Sequence, residues 1–357
     1  MNVQKQLFEV LRCALWGGQI KENFDSSSFG HLMDLAEEQV VAALVFDVVS
    51  KQEQKVGLKE TMRYIGLLNQ IRNENVSLND ELSDFVSLSE TYHFKYLIVK
   101  GQTIGQLYPN PSLRVSGDID LLLKDDFLQS KIKLEYMMSI KLPDKMIEKE
   151  LSFYHGNKRY DVHKSIVDFC YAKHNGLWEN EIANAWEQNF VVQVGDCKVR
   201  TLPPTLNAIY VFLHLFYHFI REGVALRQFC DWAMILHSYR DRIDRNYLSN
   251  FLQKLDMIKA YRAFGTILVC ELGLPREEFP IVLDVNDMKW VEPIKNDIFK
   301  GGNFGRKNHK AKNPWLFKAE TFCLITRNCF KYFSLAPSEL RMMIPKMIGV
   351  NWRLIRS

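Results

Sequence analysis

The stretch from Tyr96 to Ile166 constrains this chain most, because strand-type apolar runs lie there between segments that keep helical spacing. Tyr96-Leu-Ile-Val99 is short and wholly apolar, as a buried strand requires. Lys100-Gly101 opens a short helix predicted to reach Tyr108. Pro109-Asn-Pro111 breaks it, and Asp118-Ile-Asp-Leu-Leu-Leu123 reads as a second strand. A helix is expected over roughly Asp125 to Ser139. A hairpin follows, with Leu151–His155, a turn at Gly156-Asn157 and a return strand Arg159–Ile166. Strand, helix, strand, helix, hairpin is an α/β unit.

The flanks read as helical. Leu7, Val10, Leu11 and Ala14 keep helical spacing. After a loop at Asp25–Ser28, a second helix runs through Leu32, Leu35, Val40 and Leu44. A third begins near Leu58 and carries a polar face of Asn69, Asn73, Asn75 and Asn79 with no evident chemistry. From Pro203 the chain is helical again to about Leu274, and beyond Pro275 it reads as mixed and less periodic. The expected fold class is α+β, a small mixed sheet between helical segments, with divisions at 1–90, 91–202, 203–290 and 291–357.

Composition narrows the class. A chain of 357 residues, 47% apolar and 25% charged, holds enough material for a real core. These figures exclude disorder, collagen-like repeats and a disulfide-stapled miniprotein. Seven scattered cysteines with no CxxC pair argue against a zinc ribbon or a disulfide framework, and reduced thiols fit a cytoplasmic protein. Glu9 and Arg12 interrupt any signal-peptide run before Trp16. No membrane span is expected; the most apolar run, Ala208–Ile220, contains His214 and His218 and reads as a buried helix. The net charge of +4 hides an asymmetry: twelve basic residues against two acids from Lys300 to Ser357 make that end +10 and leave −6 for the rest.

The chemistry centres on Asp118 and Asp120. Residues i and i+2 of a strand share a face, so the two carboxylates project together while Ile119 packs on the other side. Carboxylates held together take up a proton or bind a cation, and Mg²⁺ prefers such oxygen ligands. Asp161, on the hairpin's return strand, can complete a three-carboxylate cluster able to hold two metal ions. The plainer alternative for Asp-x-Asp is a polar strand edge. His163 shares the strand face of Asp161, as a partner to the cluster or as an ordinary strand histidine. Upstream, Lys100-Gly101 sits where a strand meets a helix N-terminus suited to phosphate, and Arg114, Ser116 and Gly117 immediately precede the first aspartate.

Taken together, VKGQTIGQLYPNPSLRVSGDIDLLL followed by RYDVHKSI resembles the DNA polymerase β-like nucleotidyltransferase superfamily, and most closely its bacterial branch of uncharacterised nucleotidyltransferases. The resemblance is strongest from Tyr96 to Ile166 and weaker to about Gly305. It implies a polymerase-β-like domain in which Asp118 and Asp120 bind two Mg²⁺ (or Mn²⁺) ions. Asp161 binds one of them and helps deprotonate an acceptor hydroxyl. That hydroxyl attacks the α-phosphorus of a nucleoside triphosphate, and pyrophosphate leaves. The acceptor stays open between a small molecule, a protein and RNA. The sequence departs from the superfamily pattern at Gly101-Gln102, where relatives carry a phosphate-binding serine. Lys100, Arg114, Ser116 or backbone N–H groups are the candidates to replace it. A non-catalytic nucleotide- or RNA-binding module and a toxin-like tRNA-modifying transferase are the competing readings.

Three further features leave alternatives open. His214, His218 and Arg221 form one polar stripe on an apolar helix, and Arg227 and Asp231 fall at i and i+4 on the next. No glutamate follows the first histidine as in zinc proteases, so the choice lies between core histidines with an intrahelical Arg–Asp pair and a stripe facing the nucleotide cleft, where Arg221 or Arg227 meets the triphosphate charge. Gly301-Gly-Asn-Phe-Gly-Arg306 is a surface turn or a loop closing over substrate. The basic end is a solvated face, a nucleic-acid contact in which Phe317, Phe322, Phe330, Tyr332 and Phe333 stack, or a surface for an anionic lipid or acidic partner.

Overall fold

The computed structural model describes residues 2–21, 26–52, 57–142, 150–303 and 314–356. Four helices come first: α1 (Val3–Trp16), α2 (Ser26–Glu38), α3 (Ala42–Lys51) and α4 (Leu58–Thr91). The central unit is β1 (Tyr96–Val99), α5 (Gln102–Gly105), a 3₁₀ turn (Pro111–Leu113), β2 (Asp118–Leu123), α6 (Phe127–Met138), β3 (Glu150–His155) and β4 (Lys158–His163). Next come α7 (Ala172–Gln188) and a separate hairpin, β5 (Val191–Val194) and β6 (Cys197–Arg200). The rest is helical: α8 (Pro204–Arg221), α9 (Leu226–Ser238), α10 (Arg245–Lys254), α11 (Ile258–Thr266), α12 (Val291–Gly301), α13 (Pro314–Lys331) and α14 (Pro337–Arg356). The protein is thus a mostly helical α+β fold with a small mixed sheet.

Four expectations need correction. The helix expected through Leu32 and Leu44 is two helices, because the chain breaks after Glu38 and Val40 takes a left-handed φ of 57°. The helix from Lys100-Gly101 spans one turn and passes into turns before Tyr108. The return strand ends at His163, short of Ile166. The section past Pro275 is mainly helical; Pro345 inside α14 disturbs its pattern, and the buried stripe of α13 includes a polar Asn328 beside Ile325 and Cys329. Of the glycine-rich string, 304–306 lie outside the described residues, as does Asp25 of the expected loop.

The sheet runs β1-β2-β4-β3, with β1 antiparallel to β2, β2 parallel to β4 and β3 antiparallel to β4. Alternation along the strands sorts their side chains between two cores. Tyr96, Ile98, Ile119, Leu121, Leu123, Tyr160 and Val162 face a core shared with α4 and α6. Leu97, Val99 and Leu122 face the other way, into the large core built by α1–α3 and α8–α14. Burying each large apolar side chain is worth about 1.5–3 kcal/mol, so a one-residue slip that inverted the faces would be prohibitive. This apolar set therefore fixes the side on which Asp118 and Asp120 emerge. Among the described residues no helix is long and apolar enough to cross a membrane.

Candidate active site

Asp118 and Asp120 leave β2 on the face opposite Ile119. The parallel register sets Asp120 beside Asp161, Asp118 beside Arg159 and Leu122 beside His163. Paired residues of neighbouring strands share a face. The three aspartates, Arg159 and His163 accordingly line one cavity of about 830 Å³. Lys100, Gly101, Arg114, Ser116, Gly117, His214, His218, Arg221, Arg227 and Asp231 line it too. Every residue that sequence reasoning singled out in the central unit and on α8 and α9 is in its wall.

The acids are held by basic side chains. Lys100 Nζ lies 3.2 Å and His163 Nε2 2.8 Å from Asp120 Oδ1. Arg159 Nε donates to Asp161 Oδ1 at 2.9 Å. Burial pushes the Asp120 carboxyl up, but the Lys100 charge and His163 outweigh it and bring it down to about 2. Asp118 is raised instead, by burial first and then by the neighbouring Asp120 charge, with Asp161 adding to it against Lys100 and Arg227.

Local backbone makes this possible. Lys100 and Gly101 both take left-handed φ values, 60° and 50°, which turns the chain sharply out of β1. A Cβ on Gly101 would stand 3.3 Å from the Asp118 carbonyl oxygen, so glycine lets the turn approach β2. Gln102, at the position of the absent phosphate serine, is buried and points away: its Nε2 donates to Asn79 Oδ1 at 2.6 Å. The asparagine face of α4 thus has a use. Asn75 Nδ2 lies 3.0 Å from the Ser112 carbonyl and 2.9 Å from that of Arg114, tying α4 to the loop that leads into β2.

Asp231 does not pair with Arg227. Its carboxylate takes Nε and Nη2 of Arg114 at 2.7 and 2.8 Å and the Tyr108 hydroxyl at 2.8 Å, all buried. Arg114 Nη1 reaches Ser116 Oγ at 2.6 Å. Arg114 is therefore spent on bracing its loop. Arg227 donates from Nη1 to the Val115 carbonyl at 3.2 Å, its buried Nε has no partner, and it forms no ion pair among the described residues. Burial, then the neighbouring Arg114 charge, lower its pKa from the usual arginine range. A half-buried guanidinium beside another, with a buried unpartnered Nε and facing a cavity, suits an anion.

His214 and His218 have ring centroids 4.3 Å apart, and His218 Nδ1 lies 3.3 Å from Glu222 Oε2. Burial, then the charges of Lys100, His218, His163 and Arg227, hold the His214 imidazole well below the usual histidine range. The unfolded chain then takes up a proton near pH 6.5 that the folded protein refuses, so this contribution to stability is complete at higher pH and is lost below that value. Urea unfolding between pH 7.5 and 5.5 is expected to show His214→Gln flattening the decline, by up to about 1.4 kcal/mol per pH unit. Equal slopes in the two proteins would contradict it.

Sequence reasoning missed Glu339. This α14 carboxylate is fully buried and accepts from the backbone N–H groups of Cys170 at 2.7 Å and Tyr171 at 3.2 Å and from the Tyr217 hydroxyl at 2.6 Å. His174 Nδ1 lies 2.6 Å from it. Lys346 binds Asp168 and, at 2.9 Å, the Phe169 carbonyl. Because Tyr217 and Asp168 line the cavity, α14 fixes one of its walls. The available signal was an isolated acid in a strongly basic segment.

A family model described as uncharacterised nucleotidyltransferase matches residues 25–271, more than half of the chain. The chain belongs to that family. This nucleotidyltransferase therefore carries its whole acid cluster, Arg227 and the α8 stripe inside the matched region, and Glu339 outside it. Comparison with curated proteins and with solved structures gave no match.

Whether the cavity suits a divalent ion rests on its donors. Three carboxylates on adjacent strands are the hard oxygen set Mg²⁺ takes. As found, Asp120 and Asp161 are turned onto Lys100, His163 and Arg159, and no three His, Cys, Asp or Glu side chains among the described residues stand in a coordinating arrangement. The donors fit by type and register, with basic side chains of the chain now on two of the three acids.

Proposed function

We propose that this nucleotidyltransferase moves a nucleoside monophosphate from a nucleoside triphosphate to an acceptor hydroxyl, with release of pyrophosphate. The observation that carries this reading is the meeting, in one cavity, of three carboxylates with a half-buried Arg227 that forms no ion pair among the described residues. Asp118, Asp120 and Asp161 would hold Mg²⁺ or Mn²⁺, which when bound supplies charge neutralisation at the transferring phosphoryl group. Arg227, Lys100 and the Gly101 turn bind and orient the triphosphate, while Arg114 and Asp231 keep Ser116 and Gly117 in place. Asp161 takes up the acceptor proton. Catalysis is then chiefly positioning and electrostatics.

The test is transfer of label from an α-³²P nucleoside triphosphate in the presence of Mg²⁺ and cell extract. A labelled product that disappears with Asp161→Asn supports the reading, and no labelled product sinks it. Binding without transfer is the second reading, favoured by the pairing of Asp120 and Asp161 with cations of the chain. It predicts triphosphate affinity that is indifferent to Mg²⁺.

Arg227→Ala gives a prediction of its own. A charge-assisted hydrogen bond to phosphate is worth about 1.5–3 kcal/mol, so triphosphate affinity by calorimetry should fall about 10- to 100-fold. The melting temperature should hold or rise, since the half-buried guanidinium gives up one backbone hydrogen bond and no ion pair among the described residues. Unchanged affinity would contradict this role.

A further inference from the structure

Helix α8 lies along the cavity and separates two cationic ends. Near one end the Tyr210 ring stands 5.9 Å from Lys100 Nζ, beside the carboxylates. Arg221 follows on the same helix at the far end, about 16 Å further along the axis at 1.5 Å per residue. The sheet gives the same order across the site. Lys100 and Gly101 leave β1, Asp118 and Asp120 stand on β2, Asp161 stands on β4, and Ser165–Asp168 continue from β4 along the cavity wall. Phosphoryl transfer places the attacking oxygen and the leaving group on opposite sides of phosphorus. A triphosphate tail on the β1 flank therefore puts the acceptor on the β4 flank, where Arg221 is.

The surroundings of Arg221 leave its charge available. Its guanidinium lies 4.9 Å from the Tyr217 ring centroid, its Nη2 stands 3.7 Å from Cys170 Sγ, and it forms no ion pair among the described residues. Of the acids at that end, Asp168 pairs with Lys346 while its charge also supports the Arg221 guanidinium from a distance, and Glu222 lies 3.3 Å from His218. Tyr217 and Cys170 are both fixed by Glu339, so the guanidinium rests on a rigid floor. A preorganised guanidinium fork suits a phosphate or a carboxylate.

We propose that the β4 end of the cavity is an acceptor subsite in which Arg221 selects a small hydroxyl compound carrying a phosphate or carboxylate group. The inference rests on the transfer reading above and names the acceptor class for that site. Arg227, set among Arg114, Asp231 and Asp118, serves the triphosphate; Arg221 serves the acceptor.

The test uses the full chain and three probes of one size: glycerol 3-phosphate, glycerate and glycerol. Each is titrated calorimetrically with and without Mg²⁺ and a non-hydrolysable triphosphate analogue. The two anions should bind at least about tenfold more tightly than glycerol, and Arg221→Ala should remove that preference. Arg221→Lys should retain part of it, and the analogue's affinity should change less than about twofold in either variant. Equal binding of the probes, an anion preference that survives Arg221→Ala, or an equal loss of the analogue in that variant overturns the proposal. A wild type that takes the anions but no triphosphate analogue overturns the transfer reading instead, because the Arg221 preference is still read without the analogue.

Discussion

Asp120→Asn is expected to lower Mg²⁺-dependent transfer of label by about a thousandfold, since charge stabilisation by a bound ion is worth several kcal/mol. Asp120 is the member of the cluster on which the other groups converge. It sits beside Asp161 in the register, and it is held charged by Lys100 and His163 down to a pKa of about 2. Asparagine keeps the shape and removes the charge, leaving Lys100 and His163 facing a neutral amide. The fold should survive, because the strand is held by the apolar face of Ile119, Leu121 and Leu123. Kinetics of labelled product, with a melting curve for each protein, check both halves. A variant within tenfold of the wild type would remove Asp120 from the reaction.

The second large effect is structural. Glu339→Ala is expected to destabilise the protein by about 3–5 kcal/mol, the range for breaking a buried charged network by deleting one partner. The deletion orphans two backbone N–H groups, the Tyr217 hydroxyl and the His174 ring in a place closed to water. Glu339→Gln retains one acceptor oxygen and should lose less. Urea unfolding of the three proteins measures the difference, and a loss under about 1 kcal/mol in the alanine variant would mean that the network is dispensable. Because Tyr217 lines the cavity, the glutamine variant should also show altered transfer at temperatures where it remains folded.

What the sequence disclosed follows the range of its signals. Period-two alternation at Asp118-Ile-Asp-Leu-Leu-Leu123 and the Gly156-Asn157 turn are local, and they placed the central strands and the face of the acids correctly. Helix α7 left a local signal too, with Trp178, Ile182 and Ala185 at helical spacing, as did the Gly195-Asp196 turn between β5 and β6; both elements went unread. The pairings of Arg114 with Asp231, Gln102 with Asn79 and Glu339 with Cys170, Tyr171, His174 and Tyr217 join residues 23 to 169 positions apart. No spacing rule reaches that far. The Arg227–Asp231 pair allowed by i, i+4 spacing is displaced because Arg114 offers the same carboxylate a bidentate bond and the Tyr108 hydroxyl fills the remaining site. The basic end reads differently in three dimensions: Lys331 pairs with Asp297 at 2.8 Å, Tyr332 is buried, and Phe317, Phe322, Phe330 and Phe333 stay exposed.

The most direct measurement is the structure of the protein with Mn²⁺ and a non-hydrolysable triphosphate analogue, located by anomalous scattering. The account predicts a manganese peak between Asp118, Asp120 and Asp161, with Lys100 and Arg159 released from the carboxylates and Arg227 on a phosphate oxygen. A cavity that keeps Lys100, His163 and Arg159 on the acids, with the analogue bound elsewhere or without metal, would contradict it.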